Sequence, residues 1–289
     1  MSRAPDKTTI AVRDYDLAAT LNSGQAFRWN EVDGGWEAVV SGRWVRLRET
    51  AKGIAAETAE PIEDWSWLRN YLQADARFDE VIASFPDDEP MRAAVEACRG
   101  LRLLRQDFWE CLASFILSSN KQILQIRQMV AAICERFGEP VPGGPSGAAA
   151  HAFPSPERLA RCSEVELRDC KLGYRAPYLQ DSARMIAEGS VVLDELSKLS
   201  CGEARTELIK LPGVGPKIAD CALLFGGGFQ EAFPIDVWIL KALKQLYFQR
   251  KRNVTPRRIR EFSDSYFAPN GGYAQQYLFH YMRQTAGRT

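Results

Sequence analysis

Histidine is nearly missing from this 289-residue chain: with only His151 and His280, a histidine-rich metal site or a Ser-His-Asp triad has almost no raw material. The seven cysteines are odd in number and none stands in a Cys-x2-Cys pair, so neither a disulfide framework nor a clustered metal site is expected. No uninterrupted apolar run approaches 18 residues, which removes a membrane-spanning helix. The polar start, Met1-Ser-Arg-Ala-Pro-Asp-Lys7, has no apolar stretch behind it, so no secretory signal is read there and an intracellular address follows. Net charge is absent too, with 37 basic and 37 acidic side chains. The chemistry is thereby narrowed to Lys, Asp, Glu and Cys.

What is present is enough for a folded body. The chain is 46% hydrophobic and 26% charged, which excludes disorder, and its length suits one large domain or two smaller ones. Charge is divided unevenly. Residues 1–95 carry 11 basic and 17 acidic groups, net −6, and residues 96–289 carry 26 and 20, net +6. Between Lys241 and Arg260 stand eight basic residues (Lys241, Lys244, Arg250, Lys251, Arg252, Arg257, Arg258, Arg260) and no acidic one. A field of that sign attracts polyanions, although a solvated cationic surface reads the same way.

Hydrophobic periodicity divides the chain at about the same place. Residues 8–12, 27–32, 36–40 and 44–48 read as short strands separated by the turn signals Asp33-Gly-Gly and Ser41-Gly42, an antiparallel N-terminal unit. From Glu63 the spacing becomes helical, and Phe108, Cys111, Leu112, Phe115 and Ile116 mark a strongly apolar helix at the expected centre of the core. Residues 138–156 are rich in Pro, Gly, Ser and Ala and read as a long surface connection between two helical subdomains. Ser155-Pro156, Ser163-x-x-Glu166, Ser200-x-x-Glu203 and Thr255-Pro256 are successive helix starts. The reading is an α+β protein: an antiparallel β-sheet domain with a trailing helix (1–95), then a mostly helical domain (96–289) with a cleft between its subdomains.

The segment Thr206-Glu-Leu-Ile-Lys-Leu-Pro-Gly-Val-Gly-Pro-Lys217 carries the most information. A helix ends near Lys210, Gly213 and Gly215 permit a turn with positive φ, and Pro216 opens the next helix where its missing N–H costs nothing. Turn and helix start together expose backbone N–H groups, a surface that takes a phosphate without a side-chain code. Lys217 falls in the first turn, where the positive end of the helix dipole disfavours an ammonium and favours the neutral amine, a nucleophile for an electrophilic carbon. Asp236 follows Phe233-Pro-Ile235 and precedes the amphipathic run from Ile239 to Tyr247, the place of an N-cap. A carboxylate 19 residues after the lysine, with a helix and its return between, reaches the same mouth and can stabilise positive charge developing on a sugar.

These residues resemble a known family. Leu211-Pro-Gly-Val-Gly-Pro-Lys217 with Phe233-Pro-Ile-Asp236 is similar to the helix-hairpin-helix glycosylase superfamily. Ser23-Gly-Gln-Ala-Phe-Arg-Trp29, Leu103-Leu-Arg-Gln-Asp-Phe-Trp-Glu-Cys-Leu112 leading to Ser118-Ser-Asn120, and Leu172-Gly-Tyr-Arg-Ala176 narrow the likeness to the 8-oxoguanine DNA glycosylase/AP lyase family. The resemblance implies an intracellular, monomeric base-excision-repair enzyme acting on double-stranded DNA that contains oxidised guanine. Lys217 would attack the sugar C1′ and Asp236 would support it. Gly24 would present its carbonyl to the N7 hydrogen of the lesion, Cys221 and Phe279 would sandwich the base, and Gln275 would read its Watson–Crick edge. Asn120, Tyr174 and Arg175 correspond to the family's gap-filling and wedging residues, Gly213, Val214 and Gly215 to its DNA-backbone hairpin. Two positions depart from the pattern. Gln125 replaces a second cytosine-reading arginine, and Trp238, placed against the DNA, replaces a histidine two residues after the aspartate, which leaves the opposite-base preference open.

No cofactor is expected. The related iron–sulfur glycosylases carry a cysteine quartet near the C-terminus, and no cysteine follows Cys221 here. A monovalent cation under the hairpin carbonyls is compatible with the reading. Two other activities use the same residues: a monofunctional alkyl-base glycosylase in which Asp236 acts with water, and a non-catalytic DNA-binding module.

Overall fold

The computed structural model describes residues 6–144, 149–249 and 254–286. Five antiparallel strands form the N-terminal sheet: β1 (Asp6–Ile10), β2 (Asn30–Val32), β3 (Gly35–Val40), β4 (Arg43–Thr50) and β5 (Gly53–Thr58), in spatial order β1-β5-β4-β3-β2. The turns Asp33-Gly34 and Ser41-Gly42, positive in φ at both residues, close the β2–β3 and β3–β4 hairpins and set their register, with Glu31 opposite Trp36 and Val39 opposite Trp44. Two elements have no counterpart in the strand reading: β5, and helix α1 (Leu17–Asn22), which Asp16 caps by accepting from the Ala19 N–H at 2.7 Å. The strand expected over residues 27–32 shortens to its last three because Phe27 and Trp29 leave the ladder to fill the core. Phe27 meets Phe115 edge-on and Trp29 Nε1 donates to the Tyr71 hydroxyl at 2.8 Å.

The remaining chain is helical: α2 (Ser66–Leu72), α3 (Phe78–Ala83), α4 (Glu89–Ala97), α5 (Phe108–Leu117), α6 (Ile123–Phe137), α7 (Pro156–Ala160), α8 (Glu164–Asp169), α9 (Ala176–Ala187), α10 (Cys201–Ile209), α11 (Pro216–Ala222), α12 (Val237–Tyr247), α13 (Pro256–Tyr266) and α14 (Gly271–Ala286). The four expected starts all cap: Ser155, Ser163, Ser200 and Thr255 each accept from the N–H three residues on. The connection over residues 138–156 is less irregular than its composition implies. Its described ends pair as β6 (Pro140–Val141) and β7 (Ala150–His151), and Trp109 Nε1 pins it by donating to the Pro154 carbonyl at 3.0 Å.

Two buried clusters result. The first lies between the sheet and α1–α2. The second is larger, centres on α5, and draws in Val81, Met91 and Ala94 from before residue 96. Eight of the ten residues of α5 are buried, as its all-round apolar sequence requires. Among the described residues no helix is long and apolar enough to cross a membrane. Arg250, Lys251 and Arg252 of the basic stretch lie outside the described residues.

Helix α11 is held by a polar device absent from the sequence reading. Asp220 is fully buried and accepts from Arg205 Nε of α10 and Arg260 Nη2 of α13, both at 2.6 Å, while Arg260 Nη1 also donates to the Phe233 carbonyl at 2.9 Å. Asp220 is the carboxylate the two arginines share, and Arg260 has a second, longer contact to Asp264 Oδ1 at 3.4 Å. Asp220→Asn is expected to cost about 3 kcal/mol, slightly discounted for the arginines' partial exposure. A thermal midpoint lowered by several degrees is the observation that checks it.

Candidate active site

Helix α10 stops at Lys210, and the turn that follows spends its groups locally: Val214 N–H donates to Leu211 O at 3.1 Å and Ser182 Oγ donates to Pro212 O at 3.0 Å. Gly213 has φ +77°, and a β-carbon there would stand 2.8 Å from Tyr178 Cβ, so only glycine fits. Gly215 differs from expectation. Its φ is −97°, an extended N-cap conformation open to any residue, because Gly213 alone makes the left-handed step. Val214 also turns its side chain into the core. Ala219 is the first to close a helical bond, onto Gly215 O at 3.0 Å, so the N–H groups of Lys217 and Ile218 point out of the helix end.

One face of α11 opens on a cavity of about 670 Å³, within the range of small-molecule pockets. Lys217 and Cys221, one turn apart, both line it. Lys217 Nζ donates to Ser118 Oγ at 3.1 Å and sits 5.0 Å from the Phe115 ring centre. Asp236 lines the same cavity as the N-cap of α12, where its Oδ1 accepts from the Ile239 N–H at 2.8 Å. Burial raises the Asp236 carboxyl above the ordinary value, against the pull of the Ile239 N–H and the Lys217 charge. Burial also pushes the Cys221 thiol up to about 12, so its sulfur stays protonated and apolar at neutral pH.

The other walls come from the two ends of the chain. Gly24 faces Ile123 and Phe279. Its loop is clamped by Gln25, whose Nε2 donates to Arg102 O at 2.8 Å and whose Oε1 accepts from Leu104 N–H at 2.8 Å. Gln276 Nε2 holds the Ser23 carbonyl at 3.2 Å. Gln275, on α14, is buried, lines the cavity and has an Oε1 with no hydrogen-bond partner. An orphaned acceptor at a cavity wall is costly unless a ligand donor meets it.

The rim carries Asn120, left-handed at φ +53°, with Nδ2 3.4 Å from the exposed Tyr174 hydroxyl. Trp238 stands at the rim 37% exposed beside Val237, which is 77% exposed and carried no signal in the sequence beyond its neighbours. Arg175 is placed differently from expectation. It is buried and donates to the Ser119 and Leu172 carbonyls at 3.0 and 3.3 Å and to the Tyr174 hydroxyl at 3.1 Å, so contact with a base requires it to leave these acceptors. Gln125 Oε1 accepts from the Gln122 N–H at 3.2 Å in the capping box of α6. Among the described residues no group of three or more His, Cys, Asp or Glu gathers as a metal site.

Comparison with known proteins places these features in one context. Residues 7–112 match the family model described as 8-oxoguanine DNA glycosylase, N-terminal domain, and residues 113–269 match HhH-GPD superfamily base excision DNA repair protein. The chain is 31% identical to a probable N-glycosylase/DNA lyase of Methanothermobacter thermautotrophicus over 304 residues, covering 96% of each chain. It is 38% identical to the N-glycosylase/DNA lyase of Saccharomyces cerevisiae over 274 residues, 86% of this chain and 72% of that one. In three dimensions it is similar to the Clostridium acetobutylicum 8-oxoguanine glycosylase/lyase solved with double-stranded DNA containing cytosine opposite 8-oxoguanine. The TM-score is 0.89 at 29% identity, covering 99% of this chain and all of that one.

Gly24 offers a direct test of the cavity wall. At φ +84° a side chain is strained, and a β-carbon would meet Ile123 Cδ1 at 3.0 Å. Gly24→Ala is therefore expected to lose about 1–2 kcal/mol in thermal or denaturant unfolding. An unchanged melting curve would mean that the loop is not held as described.

Proposed function

The chain belongs to the 8-oxoguanine DNA glycosylase/AP lyase family of the helix-hairpin-helix superfamily, and from that premise we propose that Lys217 and Asp236 are the pair with which it works. It is an N-glycosylase/DNA lyase that excises 8-oxoguanine from duplex DNA, and the reading assigns each step to named groups. One observation carries it: the amine of Lys217 and the carboxylate of Asp236, on two helix starts 19 residues apart, line one cavity large enough for a base.

The lesion leaves the stack, at a cost of a few kcal/mol, and enters the cavity. Gly24 accepts from N7–H, which ordinary guanine lacks, so the normal base places a lone pair against the carbonyl and is refused. The neutral Cys221 thiol and the Phe279 ring cover the two faces. The unpartnered Gln275 Oε1 takes a donor of the Watson–Crick edge. Asn120 and Tyr174 occupy the gap, Trp238 packs against the strand at the rim, and the hairpin Gly213-Val214-Gly215 with the free N–H groups of α11 holds a phosphate.

The Lys217 amine, in its unprotonated form, forms a bond to C1′ while the electron pair of the N9–C1′ bond leaves with the base. The Asp236 carboxylate stabilises the positive charge that develops on the sugar. The alkylated nitrogen gives up a proton, which neutralises the departing base, and ring opening leaves an imine. The imine acidifies C2′–H, and loss of that proton expels the 3′-phosphate. A lysine supplies all of this chemistry, so no cofactor enters. The Leu211 and Pro212 carbonyls already accept protein donors, and no step is routed through a hairpin cation. A single chain contains every group named, and the reading takes it as a monomer.

Lys217→Gln is expected to abolish both strand nicking and the borohydride-trapped covalent complex with 8-oxoguanine duplex; release of alkylated bases by that variant would instead favour a water-using monofunctional enzyme. Asp236→Asn retains an N-cap, so stability stays within about 1 kcal/mol while single-turnover excision falls at least about 100-fold. The wild-type rate should fall on the acid side. Burial raises the Asp236 carboxyl, so protonation removes the stabilising anion at a higher pH than for an exposed aspartate. A rate independent of pH down to the ordinary aspartate range would contradict that role.

A further inference from the structure

The cavity wall that carries Gly24 also carries an arginine for which the reaction has so far needed no role. Arg283 lies on α14, one turn beyond Phe279, and lines the cavity. Its guanidinium carbon is 5.5 Å from the Phe279 ring centre, and Nη1 is 3.6 Å from where a Gly24 β-carbon would stand. No carboxylate forms an ion pair with it among the described residues. The charges that reach it are those of Asp236, across the cavity, and of a second arginine.

That second arginine is Arg127 of α6. Its Nη2 donates to Asn22 Oδ1 at 3.0 Å and its buried Nε has no partner. The two half-buried guanidiniums repel each other and neither has a carboxylate in ion-pair contact among the described residues, and burial and repulsion both act against the Arg127 charge. Such a pair is stabilised by negative charge brought in by a ligand. Neither side chain braces another element through an ion pair, so the fold itself does not account for the arrangement.

We propose that Arg283, backed by Arg127, stabilises the leaving base: it faces the C8 oxygen of the oxidised purine and holds the negative charge that appears when the N9–C1′ bond breaks. The inference rests on the reading that Gly24 accepts from N7–H. In the purine ring C8 is bonded to both N7 and N9, so whichever wall meets N7–H also borders the C8 oxygen. Rupture of the bond sends its electron pair into N9, from which it spreads through C8 onto that oxygen. A guanidinium already in place there stabilises the product side of the bond-breaking step more than the neutral bound base, which is the condition for accelerating it. No proton is transferred from Arg283; the base is neutralised afterwards by the alkylated lysine nitrogen.

A leaving-group role makes base excision, and not strand cleavage, depend on Arg283, because an abasic site has no base to expel. Single-turnover rates are measured for wild type, Arg283→Met and Arg283→Lys on two duplexes, one holding 8-oxoguanine and one a preformed abasic site. Arg283→Met is expected to lower the ratio of excision to abasic-site cleavage by about 10- to 100-fold, and Arg283→Lys, which keeps the charge, to recover part of it. A parallel fall on both duplexes would make Arg283 a DNA-phosphate contact, and unchanged rates on both would reduce it to packing; either overturns the proposal. Should Arg283→Met fail to fold, Arg283→Lys together with Arg127→Met decides the same ratio. Wild-type protein that cleaves abasic DNA but leaves 8-oxoguanine in place would defeat the functional reading itself, a result distinct from all of these.

Discussion

The carboxylate of Asp220, buried between Arg205 and Arg260, fixes the element on which the chemistry stands. It lies three residues after Lys217 and one before Cys221, does not line the cavity, and faces α10 and α13. Two contacts of 2.6 Å from different helices oppose rotation of α11 about its axis, and rotation is the motion that would carry Lys217 out of the cavity. A charged lock is a poor source of stability, since desolvation consumes most of the Coulomb gain. It is a good source of position. Arg260 extends the arrangement to the Phe233 carbonyl, three residues ahead of Asp236, so the segment leading to the second functional group is tied to the lock that orients the first.

The opposite wall is built from the extremes of the chain. Gly24 belongs to the N-terminal unit, Gln275, Phe279 and Arg283 to the last helix, and the bonds of Gln25 and Gln276 close the two onto residues 102–104 and onto each other. The cavity therefore exists only once the sheet and the helical body have docked. A shift of either closes it or splays it, which explains why buried polar side chains, and not further apolar contacts, are spent at this joint: hydrogen bonds specify a distance where hydrophobic contact tolerates a range.

The parts of this that were legible in the sequence are those with local causes. Ser163 and Ser200 cap their helices because serine three residues before a glutamate satisfies two N–H groups at once, and Pro216 starts α11 for an equally local reason. Asp236 was readable as an N-cap on the same grounds. Helix α1 and strand β5 were not, being short segments whose periodicity is too brief to register beside the tertiary contacts that hold them. Ser118, Gln25 and Asp220 escaped for a different reason. Each is an ordinary polar residue whose significance is a partner far away in the chain, 99 residues for Ser118 and Lys217, 79 for Gln25 and Leu104, and spacing carries no trace of such pairs. The positive φ expected at Gly215 fails similarly: a motif with two glycines does not say which one turns left-handed, and the approach of Tyr178 to Gly213 decides it.

Asp236 shows how a structural duty and a chemical one divide a single side chain. Capping uses Oδ1, through the Ile239 N–H, and requires an acceptor but no charge. An asparagine meets that demand equally well. The charge is therefore surplus to the fold, and burial makes it costly, because desolvation pushes the carboxyl toward protonation against the pull of the Ile239 N–H and of Lys217. A residue retained in its more expensive form, facing a cavity also walled by an amine and an unpartnered glutamine oxygen, has to recover that cost in some state other than the empty protein. The state that does so is one with positive charge in the cavity between Asp236 and Lys217, and a deoxyribose losing its base is such a charge.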